Sequence, residues 1–114
     1  MKHTICLMMS LLVWFGLKAQ AETLEPGAPL PAITATDQDG NSVALAEVGA
    51  KGYTLVYFYP KAGTSGCTAQ ACSLRDAYET LQEKGVTIFG VSTDNEAAQK
   101  AFKEKEHLPF TLLA

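Results

Sequence analysis

The run Tyr53 to Tyr59, YTLVYFY, limits what this chain can fold into more than any other feature. It is β-branched, aromatic and nearly unbroken, the pattern of a strand buried on both faces. Pro60 ends it, and Lys61 to Gly66 is a loop of small and hydroxylated residues. The spacing then predicts a helix from about Cys67 to Lys84. Its apolar stripe is Ala71, Leu74, Tyr78 and Leu81, with Cys67 one turn before Ala71 on the same stripe. Gly85 is a natural helix stop. Val86 to Ser92, VTIFGVS, repeats the buried-strand pattern, and Thr93-x-x-Glu96 reads as a capping box for a second helix through about Lys105. A further apolar piece, Leu108 to Leu113, follows. Strand, helix, strand, helix in this order predicts an α/β domain with a parallel pair and a right-handed crossover. In such sheets reactive groups gather beyond the carboxyl ends of the strands. Residues 60–67 hold that place.

The flanks are simpler. Ile33 to Asp37 and Ser42 to Leu45 read as two short strands around the turn signal Asp37-Gln38-Asp39-Gly40-Asn41. Before them, Glu22 to Pro31 carries Pro26, Pro29 and Pro31 and reads as an extended lead-in. Residues 1–21 have the form of a secretory signal peptide. Lys2 and His3 open it, Ile5 to Leu17 is apolar apart from Ser10 and Gly16, and Ala19-Gln20-Ala21 fits a small-x-small cleavage site. The apolar stretch is short of the about 20 residues that a spanning helix needs. An uncleaved anchor is the alternative. The expected organisation is a signal peptide at 1–21 and one domain at 22–114, exported to a periplasm or to the outside, with no membrane association once the signal is removed.

Charge narrows the function. The whole chain carries a formal net charge of -3. Without Lys2 and Lys18, 7 basic residues stand against 12 acidic ones, or -5. No basic run is present, so nucleic acid is not an expected partner. Signal removal also takes Cys6 and leaves Cys67, Cys72 and one histidine, His107, too few ligands for a zinc site. No glycine-rich phosphate loop appears, and neither metal nor cofactor is expected. Asp94 and Glu96 read as capping groups. Arg75, the single arginine, reads as a solvated charge with a packed stem.

The two cysteines carry the candidate chemistry. A thiol reacts as its thiolate, and the unpaired N–H groups and dipole at the start of a helix favour that anion at Cys67. Thr64 stands where an N-cap hydroxyl can reach the Cys67 N–H or its sulfur. Gly66 lets backbone approach a small substrate, and Pro60 shields the site. Cys72 lies five residues on. Along a regular helix that spacing separates Cα atoms by about 8–9 Å, beyond the roughly 7 Å that a disulfide tolerates. A bond between the two therefore requires the first turns of the helix to unwind. Cys-x-x-Cys, the thioredoxin-type dithiol, is absent. The plain alternatives are two inert core cysteines on one helix.

The stretch from Tyr53 through Pro60, Thr64, Cys67 and Cys72 to Asp76 resembles the peroxiredoxins, and closely the peroxiredoxin Q or bacterioferritin-comigratory-protein branch. Gly90-Val-Ser-Thr-Asp94 and Leu108-Pro109-Phe110 continue the likeness. Pro-x-x-x-Thr-x-x-Cys is its most specific element. The resemblance implies a thioredoxin-like fold and reduction of hydrogen peroxide and organic hydroperoxides. It implies Cys67 as the peroxidatic cysteine, Pro60 and Thr64 as its companions, and Cys72 as the resolving cysteine. The intramolecular disulfide would be reduced by thioredoxin or a similar dithiol protein, the protein acting as a monomer. Ser65 stands where proline is common, and Gln70 where glutamate is frequent. The family's active-site arginine falls in a later strand region and has no counterpart here, so the resemblance implies a domain incomplete at its C-terminus. Arg75 is no substitute for it. An exported thiol–disulfide oxidoreductase of the same fold and an inactive partial domain are the competing expectations.

Overall fold

The computed structural model describes residues 23–114; the expected signal segment lies outside them. A three-stranded parallel sheet forms the centre, in the order β3-β4-β5, from β3 (Tyr53–Phe58), β4 (Val86–Val91) and β5 (Thr111–Leu113). Register runs from Tyr53 opposite Val86 to Phe58 opposite Val91, and from Phe89 opposite Thr111 to Val91 opposite Leu113. Two helices, α2 (Ser65–Asp76) and α3 (Tyr78–Glu83), link β3 to β4, and α4 (Glu96–Lys105) links β4 to β5. A separate antiparallel pair, β1 (Thr34–Thr36) and β2 (Ser42–Ala44), precedes them and runs into a short helix, α1 (Leu45–Gly49). The α/β architecture with a parallel pair across a helical connection is the one the sequence predicts.

One core lies between the sheet and its helices: Tyr57, Tyr59, Cys67, Ala71, Ile88, Phe102, Leu108, Phe110 and Leu112. Tyr57 stacks on Tyr59 with ring centroids 5.5 Å apart and meets the edge of Phe110 at 6.0 Å. Gly90 sits beneath Tyr57, where a Cβ would stand 2.8 Å from both the Tyr57 hydroxyl and Leu112 Cδ2. Within this core one polar side chain is fully bonded. Gln99, wholly buried, accepts from the Tyr59 hydroxyl and donates to Ser92 Oγ at 2.9 Å and to the Leu113 carbonyl at 2.7 Å. One side chain of α4 thus ties the residues just past β3 and β4 to β5, and a buried amide is tolerated because its groups find partners.

The outer edge of β5 is sealed by the β1–β2 unit. Asp37 forms a bridge with Leu113, Gln38 Oε1 accepts from the Leu112 N–H at 2.9 Å, and the Ala114 N–H donates to the Thr36 carbonyl at 2.8 Å. Lys100 of α4 adds an ion pair with Asp39 at 3.0 Å. The turn itself is held by Asp37 Oδ1, which accepts from the N–H groups of Asp39 and Asn41, with Gly40 at φ +82°.

Three expectations are corrected. β3 is not buried on both faces: Tyr53 and Phe58 are each 76% exposed and Leu55 is 37% exposed. Among the described residues β3 is an edge strand, so its apolar pattern, unlike that of central β4, is not matched by cover. The single helix expected over Cys67 to Lys84 is two, broken at Ala77, whose ψ of 0° departs from the helical value. Gly85, at φ +74°, does close the second one. The capping box of Thr93 and Glu96 is not formed. Asn95 caps α4, its Oδ1 accepting from the Ala98 N–H at 2.9 Å. The helix α1 had no counterpart in the sequence reading.

Candidate active site

The loop leaving β3 carries Pro60 to Thr64, and α2 begins at Ser65. Cys67 is therefore in the first turn of α2, just past the carboxyl end of β3, where the sequence put it. Its side chain turns inward and is 7% exposed, while Pro60, Thr64, Ser65 and Gly66 around it are exposed. Pro60, Thr64 and Cys67 are thus gathered at one end of the sheet. The sulfur is thus nearly closed off from solvent, although the residues beside it in the chain are open.

Thr64 is the N-cap of α2 by its backbone, at φ -74° and ψ 155°, and its carbonyl accepts from the Thr68 N–H at 2.9 Å. The expected hydroxyl cap is not made. Thr64 Oγ1 donates instead to the Lys61 carbonyl at 3.0 Å. The hydroxyl braces the loop at the surface, and the N–H groups of the first turn keep no side-chain partner from Thr64. Such unpaired N–H groups at a helix start favour an anion close to them.

Two tyrosines back the sulfur. Burial pushes the Tyr57 phenol well above its ordinary range, and the neighbouring Tyr59 and Cys67 add to it. Tyr59 is also raised, first by burial, with its bonds to Ser92 and Gln99 opposing. Both phenols stay protonated at neutral pH and can act there only as neutral groups. The Tyr57 hydroxyl is buried with no hydrogen-bond partner among the described residues.

The residue that sequence reasoning misplaced is Asp94. Read as a capping group, it is a cross-brace. Its Oδ2 accepts from the Ala62 N–H at 2.7 Å and from Ser92 Oγ at 2.7 Å, and its own N–H donates to Ser92 Oγ at 3.1 Å. The Ala62 N–H, then the Ser92 hydroxyl, hold its carboxyl below the usual carboxylate range. Asp94 thus joins the loop after β4 to the loop that carries Pro60 and Thr64. Three consecutive residues able to cap, Thr93 to Asn95, hid this role, because the deciding contact lies 32 residues away in sequence.

Cys72 sits in the same unbroken helix as Cys67, and both are free thiols. With α2 continuous from Ser65 to Asp76, the i to i+5 separation of about 7.5 Å along the axis holds, and no disulfide can close without unwinding. Cys72 is half-buried, and its thiol donates to Glu106 Oε2 at 3.7 Å. Arg75, expected as a solvated charge, pairs with Asp76 at 3.0 Å and donates to the Glu106 carbonyl at 2.8 Å. His107 is exposed just beyond α4, as expected, with φ 52°. Among the described residues no three His, Cys, Asp or Glu side chains gather as a metal site, and no helix is long and apolar enough to cross a membrane. A cleft of about 470 Å³ opens beside Pro60 between Phe58, Tyr59, Val91, Ser92 and Thr93. Cys67 is not in its wall.

With this geometry in hand, comparison with known proteins gives a consistent picture. Residues 26–114 match the model of the AhpC/TSA family. The chain is 47% identical over 88 residues to the chloroplastic peroxiredoxin Q of Suaeda salsa, covering 77% of this chain and 41% of that protein. It is 41% identical over 92 residues to peroxiredoxin bcp1 of Schizosaccharomyces pombe, covering 81% and 47%. Among solved structures it is similar to peroxidoxin BcpB from Mycobacterium tuberculosis, with a TM-score of 0.74, 32% identity, and coverage of 77% of this chain and 57% of that one. The chain spans less than half the length of these two curated relatives.

Proposed function

Since the chain belongs to the AhpC/TSA family and has the thioredoxin-like α/β architecture of the peroxiredoxin Q and Bcp proteins it matches, we propose that it is a thiol peroxidase acting on hydrogen peroxide and organic hydroperoxides. The observation that carries this reading is the placement of Cys67: first turn of α2, at the carboxyl end of β3, beside Pro60 and Thr64, with a second thiol in the same helix. The Cys67 thiolate attacks one oxygen of the hydroperoxide. The O–O bond breaks, a sulfenic acid forms at Cys67, and water or an alcohol leaves. The start of α2 then unwinds, the Cys72 sulfur attacks the Cys67 sulfur, and the hydroxyl departs as water. An external dithiol such as thioredoxin reduces the disulfide by exchange. No metal or organic cofactor enters this scheme.

Cys67→Ser is expected to abolish peroxide-dependent consumption of a dithiol reductant. Cys72→Ser is expected to spare the first oxidation, followed by mass spectrometry, while slowing turnover. Equal steady activity in Cys67→Ser and the parent protein rules the proposal out. Rapid exchange with protein disulfides, without fast reaction with peroxide, would point instead to a thiol–disulfide oxidoreductase.

The same reading takes residues 1–21 as a cleaved signal peptide, residues 22–114 as one domain, and the mature protein as an exported monomer in a periplasm or outside the cell. Its support is the apolar run before Ala19-Gln20-Ala21. Expression in a Gram-negative host, with the N-terminus of the recovered protein determined, is expected to give Glu22 in the periplasmic fraction. Full-length protein in the cytosol sinks that part. Sedimentation of the mature protein checks the monomer.

A further inference from the structure

The proposed cycle requires Cys72 to leave α2, so the contacts that hold it there control the second step. Beyond the helix's own backbone, its thiol has one hydrogen-bond partner among the described residues, Glu106. Glu106 is the C-cap of α4. The helix end behind it is closed by two bonds, from the His107 N–H to the Glu104 carbonyl at 3.3 Å and from the Leu108 N–H to the Lys103 carbonyl at 3.0 Å, with His107 in the left-handed region. This is a Schellman arrangement, and it fixes the backbone of the cap. The Glu106 carbonyl, unused by its own helix end, accepts from Arg75 Nη1 at 2.8 Å, while its carboxyl oxygen accepts from the Cys72 thiol at 3.7 Å. Cys72 and Arg75 are three residues apart and share one face of α2. A single rigid cap therefore grips α2 at two points, one of them the thiol that has to depart.

We propose that Glu106 is a positioning residue for Cys72: it keeps this thiol wound into α2 in the reduced protein, and its release sets how fast the disulfide closes. The inference rests on the peroxidase reading above. Closure forms the S–S bond between Cys72 and Cys67 and breaks the Cys67 S–O bond; the hydroxyl leaves with the Cys72 proton as water. The competing event is a second hydroperoxide molecule, which oxidises the waiting sulfenic acid to a sulfinic acid that the dithiol does not reduce. A tighter grip on Cys72 lengthens the wait and raises the yield of sulfinic acid. Arg75, from the other contact point, acts in the same direction.

The test uses the whole chain, reduced and mixed with one equivalent of hydrogen peroxide, then quenched and alkylated for mass spectrometry. Glu106→Ala is expected to leave the loss of the Cys67 thiol at the parent rate and to speed disulfide closure about three- to tenfold, the range one net hydrogen bond supplies. Glu106→Gln keeps an acceptor oxygen and is expected to stay near the parent, a rescue that a general loosening of the fold would not give. Arg75→Gln is expected to speed closure and serves if Glu106→Ala does not fold. Excess peroxide is expected to yield less sulfinic acid in Glu106→Ala. Closure at the parent rate in both Glu106→Ala and Arg75→Gln overturns the inference. Failure of the parent protein to oxidise Cys67 would instead bring down the peroxidase reading. Alkylation of Cys72 in a Cys67→Ser background then still decides on Glu106: a severalfold faster reaction with Glu106→Ala supports the grip, and an unchanged rate overturns it.

Discussion

Replacing Asp94 tests how the loop of Pro60 and Thr64 is held in place. Asp94→Ala removes the acceptor of two bonds of 2.7 Å and leaves the Ala62 N–H without its partner. Hydrogen bonds to charged groups contribute about 1.5–3 kcal/mol each. Asp94 is only half-buried and its Oδ1 takes no hydrogen bond from the described residues, so solvent reduces the total. A loss of about 2 kcal/mol follows for Asp94→Ala, and about 1 kcal/mol for Asp94→Asn, which keeps one oxygen but no charge. In a domain of this size 2 kcal/mol lowers Tm by roughly 8–16 °C. Acid supplies the control. Because the folded state holds this carboxyl below its ordinary value, the charged contribution is complete above the unfolded pKa of about 3.9 and fades as pH falls through the lower folded value. Urea unfolding of the parent and Asp94→Asn, run from neutral pH downward, is expected to show a gap that is constant to about pH 4 and narrows below it. A second readout is the rate of Cys67 oxidation, which should fall in Asp94→Ala as the loop shifts. Tm within 2 °C of the parent for Asp94→Ala, against the roughly 8–16 °C expected, with an unchanged oxidation rate would refute the cross-brace.

Other substitutions probe neighbouring parts of the fold. Gly90→Ala places a Cβ 2.8 Å from the Tyr57 hydroxyl and Leu112 Cδ2. It is expected to cost about 1–3 kcal/mol by overpacking, measured by urea unfolding; parent-like stability would show that the tyrosine moves freely. Asn95→Ala removes the cap of α4 and is expected to cost about 1 kcal/mol. Thr93→Ala should change stability by less than about 0.5 kcal/mol, and the reverse ranking in thermal melts would restore the capping box.

The sequence exposed the order of elements because local patterns encode it. Two apolar runs, a stripe from Cys67 to Leu81 and Gly85 sufficed for the β-α-β core and for placing Cys67 at the start of the helix beyond the carboxyl end of β3. What a local pattern cannot carry is cover. YTLVYFY and VTIFGVS look alike, yet among the described residues β4 lies between two strands and β3 has one neighbour, and Tyr53 and Phe58 face solvent while Ile88 and Phe89 do not. The same limit hid the braces of the site. Asp94 reaches Ala62 over 32 residues, Cys72 reaches Glu106 over 34, and Gln99 reaches Tyr59 over 40. Asp94 in particular lies in a segment where a capping role was locally sufficient. Thr64 shows the reverse case: its place at the cap was legible, but the choice of its hydroxyl between an amide and the Lys61 carbonyl depends on loop geometry.

The seal on β5 also bears on the order in which the molecule is assembled. Gln38 and its Leu112 partner are 74 residues apart. During synthesis Gln38 emerges long before Leu112 exists, so this contact waits for the residues between them to be made. Until then the rim of β5 is bare, and the contacts that shield it from wrong partners carry a high loop-closure cost.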